Sequence, residues 1–221
     1  VRVPLLRNAV GVVLVLDATG VMPVSQIESL VSGRIEARGR SVALPNLVTA
    51  TYTVVDVSGG GVFEAPSLTA IDGMSLFAAG GSRITLAGVT SYSHASGSNW
   101  VHRYWRATDA GSRIELPNLA TVTGSIYNGG RLYIDALSGG VIDLHSVTTL
   151  QDGATGDPGY RSIEVTADGT GSLVRLESLT SFTDNAASDY DWGRYSRLQA
   201  TNSGEVRVPL LRNAVGVVLV L

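Results

Sequence analysis

Apolar and polar positions along this chain fall into one short figure that returns nine times. Its most regular form is RIELPNLATV at Arg113, and it recurs as SVALPNLVTA at Ser41, VFEAPSLTAI at Val62, RITLAGVTSY at Arg83, VIDLHSVTTL at Val141 and LVRLESLTSF at Leu173. With the apolar residue before the usual proline as marker, it stands at Val3, Val24, Leu44, Ala65, Leu86, Leu116, Leu144, Leu176 and Val208. The spacings are 21, 20, 21, 21, 30, 28, 32 and 32 residues, which makes a larger period of 205.

Around each marker the same residue types line up. Three residues on come Leu6, Ile27, Leu47, Leu68, Val89, Leu119, Val147, Leu179 and Leu211. Six on come Ala9, Leu30, Ala50, Ile71, Tyr92, Val122, Leu150, Phe182 and Ala214. Both rows are expected to face one interior. The residues five on, such as Asn8, Thr49, Ser91, Thr121 and Ser181, are small and mostly hydrogen-bonding, which predicts a corner. A second segment alternates with period two and offers the inward pairs Leu14/Leu16, Ile35/Ala37, Val55/Val57, Leu76/Ala78, Trp105/Ala107, Ile134/Ala136, Ile163/Val165 and Leu198/Ala200. Glycine or small polar residues then close each unit.

A unit of about 20 residues with two strands and two corners buries no core by itself, but stacked units form parallel sheets with a continuous interior. The expected fold is an all-β parallel β-solenoid of eight rungs plus the start of a ninth, continuous over residues 1–221. Rungs in 1–83 are compact, and those in 84–205 carry loops. The L-P-x-L spacing also fits a leucine-rich horseshoe. Against that alternative, no Asn or Cys row completes the motif, and the second segment is β-branched and glycine-ended.

Residues 206–221, VRVPLLRNAVGVVLVL, repeat residues 1–16 letter for letter, whereas neighbouring rungs share only a pattern. The two periods therefore have different ages. Both copies break off within apolar runs, so the ends are expected to be interfaces, met either by further modules or by head-to-tail copies.

Glycine-punctuated G-S-x-I-x-L-P-x-L-T units, absent lysine and cysteine, and a large exact repeat resemble the tandem-repeat β-solenoids of giant bacterial surface proteins and adhesins, including those of planctomycete-like bacteria. The resemblance implies an extracellular or cell-surface, structural or adhesive, non-enzymatic protein. It transfers no site residues.

Composition trims the other classes. A net charge of −3, with no basic run, gives no bulk attraction to nucleic acid. The absence of cysteine removes disulfides, thiol catalysis and Cys-ligated zinc. The longest apolar run, Val10 to Leu16, is too short to span a bilayer.

Chemistry, if present, belongs to the loops. The extra length of the last four full rungs enters at one place, after the six-on row, and predicts a ridge along one edge. Tyr92, Trp100, Tyr104, Tyr127, Tyr160, Tyr190, Trp192 and Tyr195 lie in or beside these loops, with Asp189 and Asp191 among them. Exposed aromatics beside Asp, Asn and Arg are a means of gripping glycans or proteins, and equally a means of tying loops together. Trp105 differs, because its register with Leu14 and Ile134 places it in the core.

Asp152, Asp157, Asp184, Asp189 and Asp191 are the carboxylates available for glycoside chemistry, but all sit where turns use Asp anyway. SDYDWG and DGATGDPG fall short of a calcium loop, and His94, His102 and His145 lack ligand spacing. His145 takes a proline slot and reads as a corner residue. No cofactor or metal is expected. The sequence thus predicts a non-enzymatic building block of a filament or long surface fibre whose main partner is itself. The alternative is a carbohydrate-binding or polysaccharide-degrading β-helix with its site on the ridge.

Overall fold

A computed structural model describes residues 3–94, 97–185 and 195–221. Twenty-three strands and no helix form among them, and every strand pairing is parallel. The strands lie on three faces, nine on the first and seven on each of the others, and successive passes of the chain stack. This is a parallel β-solenoid; the leucine-rich alternative, which needs helical or 3₁₀ segments on its outer side, does not fit.

The first face is a nine-stranded sheet running from Val13–Asp17 through Arg34–Arg38, Val54–Ser58, Ser75–Ala79, His102–Thr108, Arg131–Leu137, Ser162–Asp168 and Ser196–Thr201 to Val217–Val220. Its inward rows are Leu14, Ile35, Val55, Leu76, Trp105, Ile134, Val165, Leu198 and Leu219, and beside them Leu16, Ala37, Val57, Ala78, Ala107, Ala136, Ala167 and Ala200. The pair expected as Ile163/Val165 is therefore Val165/Ala167, and Ile163 pairs with Leu132. Residues two apart share a face, so alternation alone does not distinguish these registers.

A second face holds seven three-residue strands, from Ser41–Ala43 to Glu205–Arg207, each turning one apolar residue inward: Val42, Phe63, Ile84, Ile114, Ile142, Val174 and Val206. The unit thus has three strands rather than two. A strand with a single inward residue leaves no alternation to detect.

The third face carries the six-on row, paired Ala9 to Leu30 and Tyr92 through Val122, Leu150 and Phe182 to Ala214, with isolated bridges carrying the first part on from Ser29 through Thr49 to Ala70. The small five-on residues open these strands and are not the corner. The corner lies earlier, at Pro45 and Asn46 and their counterparts, where the Leu47 amide donates to the Leu44 carbonyl and the Leu119 amide to the Leu116 carbonyl (both 3.2 Å). Proline presets φ for the first turn position. The next side chain then reaches back one rung: Asn46 Nδ2 donates to the Ser25 carbonyl at 2.8 Å and Asn118 Nδ2 to the Ala87 carbonyl at 2.7 Å. His145 occupies this corner, as expected, with Nδ1 2.8 Å from Asp143 Oδ1.

Inside, one apolar cluster runs the length of the stack. Trp105 is fully buried, and its ring meets Tyr92 edge-on at 4.7 Å. Both polar tips find the Met74 carbonyl, Trp105 Nε1 at 3.3 Å and Tyr92 Oη at 3.4 Å. Tyr92, counted with the loops from sequence, belongs to the core.

Burial along the stack is directional. Leu14 of the first rung is 5% exposed, whereas Leu219, the same residue of the exact repeat, is 59% exposed. Each has a neighbouring rung on one side only, following for Leu14 and preceding for Leu219. At this position the rung that follows covers the side chain, whereas Leu6 and Leu211, the equivalent pair on the three-on row, are both partly buried.

Candidate functional site on the loop ridge

The eighth residue after each marker decides whether a rung is short or long. In short rungs it turns the corner in the left-handed region, as at Gly11, Ser32, Tyr52 and Gly73. In long rungs this position holds His94, Gly124, Asp152 and Asp184, and a loop begins there. The three side chains are buried. Each fastens a loop. His94 Nε2 donates to the Arg131 carbonyl at 3.1 Å, across the foot of its own loop and into the next rung. Asp184 Oδ2 accepts from the Ser196 amide at 2.6 Å, joining the two feet of the last loop.

Asp152 is 0% exposed, and Arg161 Nε lies 3.1 Å from its Oδ2. Arg161, itself 2% exposed, donates through Nη1 to the Thr155 carbonyl and through Nη2 to the Gly153 carbonyl, at 2.6 and 2.7 Å. It holds the loop from within. Burial pushes the Asp152 carboxyl up to about 7, against the attraction of Arg161 and with help from Asp184. Burial likewise holds the His94 imidazole down to about 4.

These carboxylates are closed off from a polymer substrate. Asp157, by contrast, is at the surface and accepts from Asn128 Nδ2 and the Gly159 amide as a turn residue. Among the described residues no three His, Asp or Glu side chains gather as a metal site.

The aromatics expected on the ridge separate into distinct places. Trp100 is 58% exposed, and its ring stands 5.4 Å from that of Tyr160. Tyr127 lines a cavity of about 280 Å³ together with Tyr52, Ser93, His94, Thr123 and Ile126. Tyr104 is not on a loop. It points outward from His102–Thr108 on the first face, stacked on Tyr133 at 5.0 Å and 9°, with Arg106 over its ring at 5.2 Å and Phe77 at 6.0 Å. Tyr195 is half-buried just before Ser196–Thr201. Asp189, Tyr190, Asp191 and Trp192 lie outside the described residues.

Sequence reasoning missed Tyr52, Tyr133 and Arg103. Tyr133 was legible as the register partner of Tyr104. Tyr52 lies in a short rung outside the loops, and only the stacking brings it against His94. No protein-family model, curated protein or solved structure matches the chain.

Proposed function

We propose that this chain is a non-enzymatic structural module of a long β-solenoid fibre at or beyond the cell surface, stacking on its own kind and displaying the ridge for adhesion. One observation carries the reading. The letter-for-letter repeat of the first rung docks on the eighth in the register that every other pair of rungs uses, Leu198 to Leu219, and leaves open the leucine that a following rung would cover. A second copy entering with its first rung presents that cover, and the contact is head-to-tail, so it propagates.

Copies stacked in this way, each contributing nine strands of the first face at about 4.8 Å, have an axial period of about 43 Å. Sedimentation of the 221-residue chain at rising concentration, followed by electron microscopy of the product, tests this. Fibres with that period and a 4.8 Å meridional reflection are expected; a monomer at millimolar concentration would overturn it.

The cavity supports a second reading, binding of a glycan. The burial of Asp152 and Asp184 favours binding over cleavage.

A further inference from the structure

On the outside of the first face two tyrosines lie one above the other. Tyr104 and Tyr133 are register partners on the adjacent parallel strands His102–Thr108 and Arg131–Leu137. Their rings are stacked, 9° from parallel, with centroids 5.0 Å apart. Among the described residues this is the one contact between two tyrosine rings. Parallel rings on strands in register place each ring carbon about 5 Å from its counterpart, which is the spacing of the strands themselves. Both side chains are partly exposed, so small solutes reach them and the rings have room to turn.

The surroundings suit the loss of an electron and a proton from Tyr104. Burial and the neighbouring Tyr133 push its hydroxyl above the ordinary phenol range, so the proton stays until an acceptor takes it. Tyr104 Oη lies 3.4 Å from His102 Nδ1, and an imidazole whose own proton is on Nε2 accepts there. Arg106 stands over the Tyr104 ring at 5.2 Å, but its charge is matched by Asp135 at 2.7 Å. Tyr133 Oη accepts from Arg131 Nη1 at 3.3 Å and keeps its own proton to give up. Other tyrosines have different neighbours: Tyr160 meets Trp100, Tyr52 meets Arg103, and Tyr92 is buried against Trp105.

We propose that Tyr104 and Tyr133 are a site of oxidative coupling, at which a one-electron oxidant of the peroxidase class, with peroxide as electron acceptor, joins the two phenols into a dityrosine, His102 taking the proton of Tyr104. Each phenol gives up one electron to the oxidant and one proton, that of Tyr104 to His102 Nδ1 and that of Tyr133 to water. The two phenoxyl radicals join through a carbon–carbon bond between ring positions ortho to oxygen. The two ortho hydrogens then move to the oxygens and restore both phenols. Two electrons and two protons have left, and with them one peroxide becomes two waters. The product staples the fifth rung to the sixth, so these rungs no longer part by breaking hydrogen bonds alone. The site is complete within one chain and does not depend on fibre formation.

Treatment of the dilute, folded 221-residue chain with hydrogen peroxide and a haem peroxidase, followed by digestion, dityrosine fluorescence and mass spectrometry, tests it. The main product is expected to be one joined peptide pair that holds Tyr104 and Tyr133 and is two hydrogen atoms lighter than the separate peptides. Tyr104→Phe and Tyr133→Phe are each expected to abolish it, Tyr160→Phe to leave it unchanged, and His102→Phe to slow it about tenfold or more. Circular dichroism checks that each variant keeps its strands. In urea the preference is expected to vanish, with joined pairs spread over the tyrosines. Absence of the Tyr104–Tyr133 product, equal yields at other tyrosine pairs, the same pattern from the unfolded chain, or coupling no slower in His102→Phe overturns the proposal.

Discussion

The rings of Trp100 and Tyr160 meet at 5.4 Å although their backbones lie two rungs apart, because the residue between them is Gly129. All three occupy the left-handed region, φ 60°, 68° and 60°, and form one row: the Trp100 amide donates to the Asn128 carbonyl and the Gly129 amide to the Gly159 carbonyl. A Cβ on Gly129 would lie 2.3 Å from Trp100 Cε3. Gly129→Ala is therefore expected to expel the indole and part the two rings, at a cost of at least about 1 kcal/mol for the backbone conformation alone. Loss of the Trp100 near-UV circular dichroism band and a red-shifted emission check it; an unchanged spectrum refutes the packing.

The two copies of the exact repeat provide an internal control. Leu14→Asp places an unpaired carboxylate in a covered row and is expected to destabilise the chain by more than about 3 kcal/mol, as is Leu119→Asp in the middle of the stack. Leu219→Asp, at the open copy, is expected to stay within about 1 kcal/mol of wild type and yet to abolish stacking. Urea midpoints and sedimentation read the two effects separately. If Leu14→Asp and Leu219→Asp unfold alike, burial is not directional as described.

Two buried titrating groups give opposite pH slopes. His94, held at about 4 in the fold against an ordinary 6.5, contributes stability that is present above about 6.5 and lost as pH falls toward 4. Asp152, raised from 3.8 to about 7, contributes stability that is present below about 4 and lost as pH rises through 7. Between pH 4 and 6.5 the slopes oppose each other. Relative to wild type, Asp152→Asn is expected to gain a rising slope, and His94→Gln a falling one, each of at most about 1.4 kcal/mol per pH unit. Urea midpoints at three pH values in that window check both, and profiles parallel to wild type would contradict the assignment.

At the corner between the first and second faces, serine and glycine alternate for different reasons. Ser172 Oγ accepts from the Gly139 amide at 2.9 Å and donates to the Asp168 carbonyl at 2.6 Å. Ser172→Ala is expected to cost about 1–2 kcal/mol and to speed hydrogen exchange at Gly139. At Gly140 a Cβ would stand 2.2 Å from the Ala107 carbonyl oxygen, so Gly140→Ala is expected to cost more, because backbone must move. The reverse order of midpoints would refute this account.

Much of the fold was legible because interior rows repeat. Leu119, Val122 and Trp105 were placed correctly by register alone, since an apolar residue that recurs at a fixed offset has only the interior to serve. The second face escaped notice because its strands turn only one residue inward, as Phe63 does in Val62–Glu64. The site was less legible. Asp152 looks like a surface turn residue in sequence, and nothing local reveals that Arg161 of its loop folds back over it. Tyr52 and His94 are 42 positions apart and meet only through stacking.

Rungs of 20–21 and of 28–32 residues share one axial spacing, and this shapes how the stack yields to a pull along its axis. The inter-rung hydrogen bonds lie along the load, so rungs detach one at a time from an end. Each detached rung trades about 5 Å of axial height for its contour length, about 70 Å for a short rung and about 100 Å for a long one. Peeling from the carboxyl end thus releases the long rungs first, in large steps, while the short rungs near the amino end pay out smaller ones. Loop length, which leaves the axial rise of the stack unchanged, sets the slack stored in each step of its extension.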